Sequence, residues 1–181
     1  MSGSLELVIG PMFASKTTEL IRIANRYSVI GKKVLAINHI INNRYDTNFI
    51  CSHDNRQLQS ITMEFLMNVF ELADFKTADL IIIEELQFFS DAFEFITKAV
   101  DTHCKTVVAA GLSGDYKREE FGHVLKLIPH ADKITKLSAL CLQCSDGTEA
   151  HFTRKNINNT DQIRVGASDI YEPVCRKHYL M

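Results

Sequence analysis

The stretch Gly10-Pro11-Met12-Phe13-Ala14-Ser15-Lys16-Thr17 constrains the fold of this 181-residue chain more than any other segment. Before it, Leu5-Glu6-Leu7-Val8-Ile9 is a short, mostly apolar run of strand character. After it, Leu20, Ile23, Ala24 and Tyr27 recur at i, i+3, i+4 and i+7, one face of a helix that Gly31 is placed to close. A strand, a glycine-led loop ending in Lys-Thr and a helix make up the phosphate-loop unit. In that unit, backbone N–H groups at the helix start point at phosphate oxygens. The Lys ammonium reaches the β/γ oxygens and the Thr hydroxyl binds Mg²⁺. The template is met at Gly10, Lys16 and Thr17. Ser15 stands where it has a second glycine, which would let the backbone turn tightly against a phosphate without a Cβ. A plain strand-to-helix turn with an exposed lysine is the competing reading, and a second component is needed to displace it.

The rest of the chain supplies that component. Val34-Leu35-Ala36-Ile37, Leu80-Ile81-Ile82-Ile83 and Thr106-Val107-Val108-Ala109-Ala110 are short apolar runs, and Ser90 to His103 between the last two carries helical spacing. With a fifth candidate at Lys133 to Leu137, they predict serial βαβ units and hence a parallel sheet flanked by helices. The fold class expected is therefore α/β, of the P-loop NTPase type. The apolar run 80–83 ends directly in Glu84-Glu85-Leu86-Gln87-Phe88-Phe89. Two carboxylates at the end of a buried strand can divide the work of phosphoryl transfer. One stands near Mg²⁺, and the other accepts the proton of an attacking hydroxyl. A solvated turn is the alternative for this pair taken alone.

From residue 139 onward the apolar runs shorten, and the chain could not build much of a core there. Cys141-Leu142-Gln143-Cys144 and, after 30 residues, Cys175-Arg176-Lys177-His178 give a Cys₃His set suited to a closed, structural Zn²⁺ site. A redox C-x-x-C is disfavoured because no thioredoxin-like helix start surrounds Cys141. The division expected is residues 1–138 as a nucleotide-binding α/β domain and 139–181 as a zinc-binding subdomain. Cys51 and Cys104 are left as thiols without a role. The net charge of -2 and the lack of any basic run longer than two residues argue against a nucleic-acid partner. No apolar stretch is long enough to span a membrane, and the first residues lack a signal peptide's charged region. With only Tyr179-Leu180-Met181 after the last candidate ligand, no regulatory C-terminal tail is expected.

Together, a phosphate loop of the form GPMF-x-x-K-T-TEL, an acidic pair followed by Q-F-F, and the C-x-x-C…C-x-x-H set resemble the type II thymidine kinases. That family includes the human cytosolic enzyme and those of poxviruses and other large DNA viruses, among which the source is expected. The resemblance runs from Leu5 to Tyr179 and takes in Asn43-Arg44-Tyr45, Ser52-His53-Asp54, the segment Ala110 to Arg118 and the segment Val165 to Cys175. It implies transfer of the γ-phosphoryl of ATP to the 5′-hydroxyl of thymidine with Mg²⁺. Glu85 matches the general base, and Glu84 the Mg²⁺-associated acid. Gly10 to Thr17, Gln87 and Arg44 fall at nucleotide-binding positions. Met12, Phe88, Leu112, Tyr116, Arg118, Thr153, Val165, Gly166 and Tyr171 match positions around the nucleoside, where a lasso loop from about Arg154 to Ile170 closes over the base. The family also implies a cytoplasmic homotetramer with feedback by thymidine triphosphate. This sequence departs from the pattern at Asn42, Ser15, Glu84 (usually Asp), Leu86 (usually small, so expected to crowd the nucleoside) and Arg164. These departures motivate a second reading, a degenerate kinase that binds nucleotide or nucleoside with little or no turnover. A third reading, a zinc-ribbon interaction module on a nucleotide switch, lacks the basic patch it would need.

Overall fold

Alternation along the apolar runs sets up two buried faces, and the sheet is built from them. The structure, a computed structural model, describes residues 2–42, 48–52, 54–155 and 170–181. In chain order its strands are β1 (Ser4–Gly10), β2 (Val34–His39), β3 (Phe49–Cys51), β4 (Gln57–Gln59), β5 (Ile61–Met63), β6 (Leu80–Ile83), β7 (Thr106–Leu112) and β8 (Lys133–Lys136). The C-terminal part adds β9 (Ala139–Leu140), β10 (Glu149–Ala150), β11 (Phe152–Lys155) and β12 (Tyr171–Val174). Among the described residues, six strands form one parallel sheet in the order β5-β2-β6-β7-β1-β8. The others pair antiparallel as β3–β4, β9–β10 and β11–β12.

Successive strand residues point to opposite faces. Ile81 and Ile83 enter one apolar cluster with Leu7, Ile37 and Val107, while Leu80 and Ile82 enter a second with Val8, Ala36 and Val108. Helix α1 (Lys16–Val29) covers the second face through Leu20, Ile23 and Ala24, the stripe that the spacing predicts. It ends with the Gly31 N–H donating to Ser28 and the Lys32 N–H to Tyr27, a closed C-terminal turn. The first face is covered by α2 (Ala73–Thr77), α3 (Ala92–Thr97) and short 3-10 turns, with Phe75, Phe95 and Ile96 buried against it. The helix expected over 90–103 is α3 followed by a π-turn over Lys98–Thr102.

All five expected strands lie in the sheet. Edge strand β5 and the two strands of the β3–β4 hairpin are three residues each and carry too little alternation to stand out in the sequence. Helix α4 (Arg176–Tyr179) ends the C-terminal part. A third apolar cluster joins Ala14 and Phe13 of the glycine-led loop to Ala139, Cys141, Ala150 and Val174.

Candidate active site

A cavity of about 370 Å³ opens at the C-terminal ends of β1, β6 and β7, where ligands bind in open α/β sheets. Residues Met12 to Thr17 form one wall. Within it Ser15 has φ 59 and ψ 28, the left-handed region, which is why a glycine suits the position. An L-residue there costs about 1 kcal/mol. The Lys16 ammonium donates to the Pro11 carbonyl at 2.8 Å, curling the loop round its own lysine. Burial lowers the Lys16 pKa, and the charges of Glu85 and Glu84 act against that shift. The loop is also tied to the C-terminal part, since the Met12 N–H donates to Thr153 Oγ1 at 3.0 Å.

The second wall begins where β6 ends. The Glu84 N–H still donates to Ile37 and so prolongs the ladder, but Glu85 has φ 55 and ψ 44 and breaks the strand. The chain turns at once into a 3-10 turn over Leu86–Phe88. Glu84 is buried, and its Oε1 accepts from Thr17 Oγ1 at 2.7 Å. Its Oε2 is buried with no partner among the described residues. Burial, reinforced by the neighbouring Glu85 charge, pushes the Glu84 carboxyl up to about 8, against the pull of Thr17 and Lys16. A buried carboxylate oxygen without a donor, beside a threonine hydroxyl and a lysine, is a donor set that fits a divalent cation held between protein and phosphate. Gln87 donates from Nε2 to Glu85 Oε2 at 2.5 Å, and its Oε1 accepts the Leu112 N–H at 3.1 Å.

The far end of the cavity is apolar and aromatic, lined by Met12, Phe88, Leu112, Tyr116, Phe121 and Tyr171, with Thr153 at its edge. Flat aromatic walls with few polar atoms suit a planar heterocycle. Tyr179 Oη donates to the Tyr116 carbonyl at 2.8 Å, so the C-terminal part contacts this end of the cleft as well as the phosphate-loop wall.

In that part Cys141, Cys144, Cys175 and His178 present ligand atoms that all lie within 4.8 Å of one another. The Cys144 and Cys175 sulfurs are 3.8 Å apart, and His178 Nδ1 lies 3.4–3.5 Å from the three sulfurs. A tetrahedron with Zn–S of about 2.3 Å and Zn–N of about 2.0 Å has edges of about 3.8 and 3.5 Å. The cluster therefore has the dimensions to hold zinc. Around it, Glu172 is buried and takes hydrogen bonds from Gln143 at 2.8 Å and Arg154 Nε at 2.7 Å. Burial tends to raise the Glu172 pKa, but these donors outweigh it and hold the carboxyl below its ordinary value. Arg154 Nη1 also donates to the His178 carbonyl at 2.6 Å, bracing the ligand-bearing helix.

Most residues singled out in the sequence meet in this cavity. Met12 to Thr17, Glu84, Glu85, Gln87, Phe88, Leu112, Tyr116, Thr153 and Tyr171 line it, whereas Gly10 and Pro11 are not among the lining residues. Arg118 is not among the lining residues; its guanidinium lies over the Tyr179 ring at 4.5 Å. Arg44, Val165, Gly166 and most of the lasso lie outside the described residues. Thr18, Asp54, Gly114, Asp115 and Phe121 also line the cavity, beyond the site residues that the sequence points to. Phe121 is an isolated aromatic with no local signal, whereas Asp54 sits in the Ser52-His53-Asp54 piece already noted.

The model of the family described as thymidine kinase matches residues 3–179. A thymidine kinase of Amsacta moorei entomopoxvirus is 41% identical over 182 residues, covering 97% of each chain. This chain belongs to the thymidine kinase family. The thymidine kinase of Oryza sativa subsp. japonica is 40% identical over 98% of this chain and 66% of its own length. That of Vaccinia virus (strain Western Reserve) is 36% identical over 98% and 97%.

As a thymidine kinase family member the chain accommodates two of its departures in different ways. Leu86 does not crowd the cavity as expected: it is fully buried in the apolar cluster beneath the sheet, because the turn after Glu85 sends it inward. Glu84, though one methylene longer than the usual Asp, still meets the Thr17 hydroxyl. No helix among the described residues is long and apolar enough to cross a membrane.

Proposed function

We propose that this thymidine kinase family member transfers the γ-phosphoryl group of ATP to the 5′-hydroxyl of thymidine, giving ADP and thymidine monophosphate. The observation that carries this reading is a single cavity with a lysine, a threonine and an orphaned buried carboxylate at one end and an aromatic slot at the other, with Glu85 lining the same wall. Lys16 and the loop amides bind and orient the donor phosphates. Glu84 and Thr17 would hold Mg²⁺, which when bound neutralises charge on the phosphate oxygens. Phe88, Tyr116 and Tyr171 enclose the base and exclude water from it. Glu85 accepts the 5′-hydroxyl proton as that oxygen bonds to the γ-phosphorus and the bond to the β,γ-bridging oxygen breaks.

Cys141, Cys144, Cys175 and His178 would hold a structural Zn²⁺, which supplies stability to a part poor in apolar core. The likeness to the family supports further roles for Arg44 and Arg118 near the phosphates, and for Val165 and Gly166 over the base. It also supports a cytoplasmic homotetramer built of a nucleotide-binding unit, 1–138, and a zinc-binding unit, 139–181. The test is a coupled ADP-release assay with the four deoxynucleosides and deoxyuridine. Thymidine-dependent, Mg²⁺-dependent turnover that Glu85→Gln lowers by about 10³-fold, leaving a measurable remainder, is the expected result. Folded, zinc-loaded protein that binds ATP and leaves thymidine unphosphorylated would overturn it in favour of the degenerate, binding-only alternative.

A further inference from the structure

Gln87 is a buried neutral amide whose orientation is fixed by chemistry alone. One end faces the Leu112 backbone N–H at 3.1 Å and the other faces Glu85 Oε2 at 2.5 Å. A backbone N–H only donates, so the amide oxygen must face Leu112. The NH₂ group is then left to face the carboxylate, and a flipped amide would lose both bonds. The surroundings leave room for this residue. A Cβ on Gly111 would lie 3.2 Å from Gln87 Oε1. A Cβ on Gly122, where φ is +59, would lie 2.3 Å from the Gln87 carbonyl oxygen. One glycine therefore leaves room for the Gln87 side-chain oxygen and the other for its backbone. Glu85 needs such a partner, because its left-handed backbone places it outside the strand's ladder and its side chain has no other hydrogen bond among those described.

We propose that Gln87 is the positioning residue for Glu85, and not a nucleotide ligand as its place in the motif implies. By occupying Oε2 it leaves Oε1 as the oxygen that takes the 5′-hydroxyl proton. It keeps its grip when Oε1 is protonated, since Oε2 is then a carbonyl oxygen and still accepts. Its other end is anchored on Leu112, which lines the aromatic end of the cavity. One side chain thus links the wall of the nucleoside slot to the group that must meet the nucleoside's hydroxyl. Misplacement of a base by about 1 Å costs on the order of 10²-fold in rate, so the effect is expected in kcat.

The inference rests on the reading of Glu85 as the base, and the experiment separates the two. Gln87→Glu still accepts from Leu112 but cannot donate to Glu85 when ionised, whereas Gln87→Met loses both contacts. Both are made in the zinc-loaded protein and in a Glu85→Gln background, and kcat and KM for ATP and thymidine are measured. The expected result is about a 10²-fold loss of kcat for each single variant, with KM for ATP within about threefold, and little further loss when either is added to Glu85→Gln. Near wild-type kcat in Gln87→Glu would overturn the proposal, because a residue that only supports Leu112 tolerates that change. So would a loss that carries undiminished into the Glu85→Gln background. If Gln87→Met does not fold, Gln87→Glu decides alone. An unimpaired Glu85→Gln would instead remove the base reading, and with it the premise.

Discussion

Replacing Glu84 by glutamine isolates what it costs to keep a carboxyl group buried between Thr17 and Glu85. The unfolded carboxyl titrates near 4.5 and the folded one near 8. Between those values the folded protein holds the extra proton, so the contribution of Glu84 to stability is complete below about pH 4.5 and is lost as pH rises through 8. At about 1.4 kcal/mol per pH unit the full interval is worth about 5 kcal/mol, and water reaching the open cleft reduces that to about 3. Glutamine keeps an oxygen for the Thr17 hydroxyl and cannot ionise. In Mg²⁺-free buffer without chelator, Glu84→Gln and the parent are expected to be about equally stable at pH 5. By pH 9 the variant is expected to be more stable by about 3 kcal/mol. Groups that do not interact with Glu84 cancel in the difference. Urea unfolding at a series of pH values gives the difference directly. Adding Mg²⁺ and ATP should reverse its sign at pH 8, because a neutral amide is a poor ligand for a divalent cation. Parallel stability curves from pH 5 to pH 9 would refute the idea that this carboxyl is held protonated by burial.

Three further outcomes are expected. Lys16→Ala should lower kcat by about 10²–10³-fold and weaken ATP binding by calorimetry with the fold intact, since among the described residues its ammonium donates to the Pro11 carbonyl and to no carboxylate. Ser15→Gly relieves about 1 kcal/mol of left-handed strain but adds a similar entropy to the unfolded chain, so the melting temperature should barely move while KM for ATP falls several-fold. Cys144→Ser should reduce zinc content well below one equivalent and lower the melting temperature by about 10 °C or more. It should also weaken ATP binding, because Phe13 and Ala14 pack in the same cluster as the cysteines.

Strands β1, β2, β6 and β7 were legible because each is a short, mostly apolar run bounded by polar residues. Leu80 to Ile83 shows this most clearly, buried on both faces and ending in two carboxylates. The metal set was legible because C-x-x-C and C-x-x-H spacing is itself a statement of geometry. The left-handed turn at Ser15 was legible as a missing glycine. Other features leave no trace in one dimension. The inward turn of Leu86 follows from the backbone conformation at Glu85, not from its own identity. The grip of Gln87 on Glu85 depends on Leu112, 25 residues away. Arg118 carries a motif position yet lies over an aromatic ring, a choice made by tertiary packing. Strand β5 joins the sheet through three pairings with β2, too few for any periodicity to announce.

The shared cluster beneath the phosphate loop also sets an order of events during synthesis. Ala14 packs with Cys141, Ala150 and Val174, and the Met12 N–H reaches Thr153, so the loop's support comes from residues at the opposite end of the chain. Strand β1 in turn waits for β7 and β8 before it has neighbours on either side. The phosphate loop leaves the ribosome before this support does and is therefore completed only later. Until β12 and the ligands Cys175 and His178 have emerged, the nascent protein carries every residue of its phosphate loop but not the surface on which that loop rests.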